Sequence, residues 1–122
     1  MEKIKVVSLI PGETAEITEL GSSLEEMQEY VGGLIQAIYP FDEEVCIVCN
    51  DEGKLLGLPV NRALRDSDGE VYDAICGNAF ICDCSGEEFG SLSDEQLCKY
   101  SEMFKHPEML VKIDGAIEAI PY

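Results

Sequence analysis

Lys3–Ile10 (KIKVVSLI) is rich in aliphatic and β-branched residues and is closed by the turn formers Pro11 and Gly12, a pattern that predicts a strand. Ala15–Leu20 predicts a second short strand or edge. The period then changes. Ser22 and Ser23 precede Leu24, with Glu25 and Glu26 three residues after each serine, so a capping box can open a helix in either register. Leu24, Met27 and Val31 make its apolar stripe, Glu25, Glu26 and Glu29 its wet face, and Gly32–Gly33 its stop. Leu34–Tyr39 and Val45–Asn50 predict strands, the latter apolar enough to be covered on both faces. Asp51, Glu52 and Gly53 predict a turn into Lys54–Leu58 and hence a hairpin, broken by Pro59. Asn61–Leu64 reads as a helical turn, Ser67–Gly69 as a loop, and Ile75–Cys84 as a strand with a bulge at Gly77. Ser93 caps a second helix running to about Phe104, with Leu97, Tyr100 and Phe104 as its core face. His106 and Pro107 end that helix, and Ile113–Tyr122 forms a last strand or tail. Strands interleaved with two helices and joined by hairpins predict a single α+β domain over residues 1–122, mainly antiparallel sheet.

Charge adds what the pattern does not. Eight Lys and Arg against 25 Asp and Glu leave a net charge of -17, which repels phosphate backbones and anionic lipid heads. Direct nucleic-acid and membrane partners are therefore not expected. No run approaches the roughly 20 apolar residues of a membrane-spanning helix, and MEKIKVVSLIPGE is too short in apolar length for a signal peptide. The expected location is the cytoplasm. Val6–Gly53 holds eleven acids and no Lys or Arg, and Asp66–Cys98 nine acids and none, so the few cations are concentrated elsewhere.

CIVC and CDC look like metal-site fragments. On a strand, however, Cys46 and Cys49 point to opposite faces, and Cys82 with Cys84 supplies only half a tetrahedral site. In a reducing compartment the six cysteines default to buried thiols, and no metal or other cofactor is expected. His106, the only histidine, sits before a proline with no nucleophile or base patterned around it. Phosphate-loop, nucleophile-elbow and dinucleotide glycine motifs are absent, so catalysis is not expected. The strongest signal is NDEGKLLGLPVNRALR. Lys54, Arg62 and Arg65 run against the acidic trend beside Asn50 and Asn61, and a guanidinium fork next to a carboxamide is suited to a phosphate, a carboxylate or a base edge. Surface ion pairing with the abundant acids, and turn formation by the asparagines, is the plain alternative.

The pieces PG (Pro11, Gly12), LEEMQEYVGGLI (Leu24–Ile35), NDEGKLLGLPVNRAL (Asn50–Leu64), ICGNAFI (Ile75–Ile81) and SLSDEQ (Ser91–Gln96), in this order, resemble an uncharacterised domain family common on bacteriophages, plasmids and integrative elements. The resemblance covers most of the chain and implies a bacterial-host setting. It adds Gln28, at the margin of the first helix's stripe, to the polar positions that turns and caps do not explain. If that helix packs near the predicted hairpin, Gln28, Asn50, Lys54, Asn61, Arg62 and Arg65 converge on one ligand site. The expected function is then a non-enzymatic counter-defence protein that captures a small anionic, nucleotide-like molecule. The alternative is an acidic DNA mimic that occupies the basic groove of a host restriction, CRISPR or other nucleic-acid enzyme. Exposed strand edges or the tail GAIEAIPY also permit a homodimer.

Overall fold

The structure, a computed structural model, describes residues 2–122. Nine strands and two helices follow in the order β1 (Lys3–Leu9), β2 (Glu16–Gly21), α1 (Leu24–Val31), β3 (Ile35–Ile38), β4 (Val45–Asn50), β5 (Val60–Arg65), β6 (Val71–Cys76), β7 (Ala79–Asp83), α2 (Asp94–Met103), β8 (Glu108–Ile113) and β9 (Ala116–Pro121) among the described residues. Five strands form one sheet in the order β2-β1-β7-β4-β3, and every neighbouring pair is antiparallel. β5–β6 and β8–β9 are separate hairpins. This is the α+β architecture of antiparallel sheet with two helices that the pattern predicts.

Period-two alternation sorts the central strands into two cores. Val7, Leu9, Val45, Ile47, Ala79 and Ile81 face one side, where Leu97 and Tyr100 of α2 and Leu64 and Ile75 of the β5–β6 hairpin cover them. Ile4, Val6, Cys46, Val48, Phe80 and Cys82 face the other, under Met27 and Val31 of α1. All six residues of β4 are buried, as its unbroken apolar run requires. Ser23 caps α1 by accepting from the Glu26 N–H, and Gly32 ends it in the left-handed conformation. Ser93 and Gln96 form a reciprocal capping box at the start of α2.

Four expectations are corrected. Lys54–Leu58 is no strand: Glu52 and Gly53 carbonyls accept the N–H groups of Leu56 and Leu58 at 2.9 and 3.0 Å, winding the segment into turns that leave Leu55 85% exposed. Asn61–Leu64 is no helical turn but the middle of β5, and Asn61, Arg62, Ala63 and Leu64 are all buried. Alternation is absent there because two polar residues are hidden by hydrogen bonding. Ile75–Cys84 is two strands, divided at Gly77, whose φ of 87° turns the chain from the hairpin into the main sheet. Finally, the C-terminal segment is a hairpin, turned by Asp114 and Gly115 at φ 49° and 83°. Both central residues at positive φ are what a two-residue hairpin turn needs.

Candidate functional site

Arg62 is wholly buried, and its guanidinium is spent on the chain itself. Nε donates to the Phe104 carbonyl at 2.9 Å and Nη2 to the Glu13 carbonyl at 2.8 Å. Nη1 donates to the Asn61 side-chain oxygen at 2.7 Å and to its carbonyl at 3.2 Å. Asn61 Nδ2 donates in turn to the carbonyls of Leu9 and Gly77, each at 2.8 Å. These two neighbours therefore tie β5 to the end of β1, the β1–β2 turn, the β6–β7 turn and the end of α2. Burial pushes the Arg62 pKa down, opposed by the charges of Glu108 and Tyr122. An arginine remains charged through such a shift.

The other predicted residues are placed apart from this pair. Asn50 is buried, donating to the Val31 carbonyl at 3.1 Å and accepting from the Glu52 N–H at 2.7 Å, so it joins the end of α1 to the end of β4. Gln28 is half-buried on α1, whose core lies on the opposite side of the sheet from β5 and α2. Lys54 pairs with Asp73 at the surface. Asn50 and Lys54 line a cleft of ≈ 400 Å³ together with Cys49, Asp73 and Cys76. Arg65 lines a different one. The expected convergence of all six is not found: the structure brings Asn61 together with Arg62, and Asn50 together with Lys54, and leaves Gln28 alone.

Arg65 opens onto a cleft of ≈ 520 Å³ between β5, the β3–β4 loop and α2. Phe41, Tyr100 and Phe104 supply its aromatic wall, with ring centroids 4.6 Å apart for Phe41–Tyr100 and 6.0 Å for Phe41–Phe104. The spacing of Tyr100 and Phe104 by four residues stacks them on one helix face, and the Arg62 bond to the Phe104 carbonyl fixes the helix end. Lys99 Nζ lies 5.1 Å from the Tyr100 ring centroid, over its π face, and 3.6 Å from Glu43 Oε1. The Tyr100 hydroxyl donates to Glu43. That bond, with help from Lys99, holds the Glu43 carboxyl below its ordinary pKa, while burial and the same bond push the Tyr100 hydroxyl well above its own. Glu108, itself buried, holds Arg65 with both carboxylate oxygens and accepts the Ala63 N–H at 3.2 Å. The bidentate Glu108 bond raises the Arg65 pKa.

Phe41, Glu43 and Lys99 were not foreseen. For Lys99 the signal was present, since it is the first cation after Arg65 and ends the base-free stretch Asp66–Cys98. The two belong together because β5 and α2 pack on the same face of the sheet.

The thiols follow strand geometry. Cys46 lies in one core and Cys49 in the other. Cys46 and Cys82 are direct cross-strand partners with Sγ atoms 3.8 Å apart. Burial pushes the Cys49 thiol up to about 11. Among the described residues no group of three His, Cys, Asp or Glu is arranged to hold a metal ion.

Comparison with known families matches residues 4–105 to the family described as Domain of unknown function (DUF3846). The chain belongs to that family. No curated protein and no solved structure matches it significantly. The DUF3846 match takes in the main sheet, both helices, the β5–β6 hairpin and every cleft residue described above, and it stops before β8.

Proposed function

We propose that this DUF3846 protein is a non-catalytic binding protein whose aromatic cleft captures a small molecule bearing a planar ring and one anionic group, nucleotide-like in its chemistry. One observation carries the reading: in a chain of net charge -17, two of the eight Lys and Arg, Arg65 and Lys99, line the same cleft as Phe41, Tyr100 and Phe104. Rings take a planar ligand by stacking, and the Lys99 ammonium takes its anion, with the Glu108-held Arg65 guanidinium beside it. Glu43 occupies the anion's place, touching both Lys99 and the Tyr100 hydroxyl. Because Glu43 and Lys99 form an exposed pair, exchanging that carboxylate for a ligand oxygen costs little. The resemblance to domains of bacteriophages, plasmids and integrative elements supplies a purpose, sequestration of a host defence signal in the bacterial cytoplasm.

Titration calorimetry against linear and cyclic nucleotides tests the proposal. A ligand at a hundred times its Kd should stabilise the fold by about 2.7 kcal/mol. Lys99→Ala should weaken binding about tenfold, and Glu43→Gln should strengthen it. No heat and no thermal shift across the panel refutes capture.

A second reading rests on a different surface. Glu16 of β2 and Glu25 and Glu29 of α1 are exposed on two elements in contact, within a stretch free of Lys and Arg. Such a face suits an acidic mimic of DNA that binds a basic host enzyme. Inhibition of nucleic-acid enzymes that disappears at high salt would favour it over capture.

A further inference from the structure

We propose that the β8–β9 hairpin is a self-association surface whose occupant is a second copy of the same chain. Residues Met109, Val111 and Ile113 of β8 stand on one face with Ala116, Ile120 and Tyr122, as their register pairs and period two require. Glu118 is the one charged residue on that face. The opposite face is held at Glu108, which is buried against Ala63 and Arg65 of β5, while further along it Leu110 and Ile117 are 36% and 58% exposed, so the hairpin is anchored at its base and offers apolar side chains beyond it. Met109, Ile113, Ile120 and Tyr122 are 45%, 50%, 41% and 56% exposed.

Two quantities select a second copy as the occupant. The first is area. Four large side chains, each about half exposed, with their smaller neighbours, present on the order of 500 Å², so a two-fold pair would bury about 1,000 Å², the lower bound for a specific interface. The second is charge. A chain of net charge -17 repels its own copy everywhere that carboxylates dominate, but Met109–Tyr122 carries one cation, Lys112, and two carboxylates, Asp114 and Glu118, for a net of -1. Glu108 adds nothing, being held by Arg65. Two copies therefore meet here with little repulsion, whereas a basic partner would gain more from the acidic faces of β2 and α1.

Sedimentation of the full chain from about 5 to 200 µM, in low and in high salt, tests the proposal. A concentration-dependent monomer–dimer equilibrium is expected, and it should strengthen in high salt, because screening removes the residual repulsion between copies. Ile113→Asp and, independently, Met109→Lys should each weaken association at least tenfold, while Ile17→Asp on the exposed edge of β2 leaves it unchanged. Circular dichroism of each variant confirms that it is folded. A chain that stays monomeric at 200 µM in both salts overturns the proposal, as does a dimer that survives both hairpin substitutions. Neither outcome touches nucleotide capture, which is read by calorimetry at the cleft.

Discussion

Replacing Arg62 by Met keeps most of the aliphatic stem and removes every donor. The carbonyls of Phe104 and Glu13 and the side-chain oxygen of Asn61 then lose their partner together. An acceptor left unsatisfied costs about 1–3 kcal/mol when buried, and the Phe104 and Glu13 carbonyls, only part-buried, lie toward the low end of that range. Three at one site relax jointly rather than add, so the expected loss is about 4 kcal/mol, a large share of the roughly 5–15 kcal/mol that holds a domain of this size. Urea unfolding followed by circular dichroism reads it directly. With a slope of about 2 kcal/mol/M, the midpoint should fall by about 2 M at unchanged slope. Arg62→Lys, which retains one or two of the bonds, should fall about half as far. A midpoint shift below about 0.5 M in the Met variant would refute the reasoning, because the carbonyls would then be satisfied without the guanidinium. Loss of nucleotide binding at that unchanged stability would return Arg62 to a direct role in recognition.

Ser93→Ala removes the capping box of α2; a loss of about 1 kcal/mol is expected, read as a drop of about 4 °C in Tm. Cys49 has its thiol pKa raised from 9.0 to about 11, so the stability it contributes is fully present below about pH 9 and is lost as pH rises through 11. Cys49→Val should therefore flatten the fall of Tm between pH 9 and 11, and an unchanged slope would show that this thiol titrates alike in the folded and unfolded chains.

Much of the fold was legible because its signals are local. Both helix starts are written in serine caps with Glu or Gln three residues on, and β4 in an apolar run that only a doubly covered strand tolerates. β5 was hidden because Asn61 and Arg62 interrupt its alternation, and their burial depends on carbonyls supplied by distant turns that no window around residue 61 contains. The last hairpin was missed although Asp114-Gly115, between Lys112-Ile113 and Ala116-Ile117, is a strong turn dipeptide. Of the candidate site, the acidic background made the cations conspicuous, and Arg65 does line the larger cleft. Asn61 and Arg62 look like ligand readers because the chemistry that grips a ligand oxygen is the same that grips a main-chain oxygen. Sequence distance cannot tell the two apart.

The tie made by Asn61 and Arg62 has a kinetic side. Its partners Leu9, Glu13 and Phe104 lie 52, 49 and 42 residues away along the chain. Contacts of such separation form after local ones, since closing long loops costs entropy before any bond is gained. These separations predict that the capped helices and the β1–β2 hairpin assemble before the guanidinium docks, as a latch that registers the arrival of three otherwise independent segments. Until it closes, the edge of β5 and the carbonyls it serves are open to water and to other chains, so the interval before latching is when this protein is most exposed to misassembly.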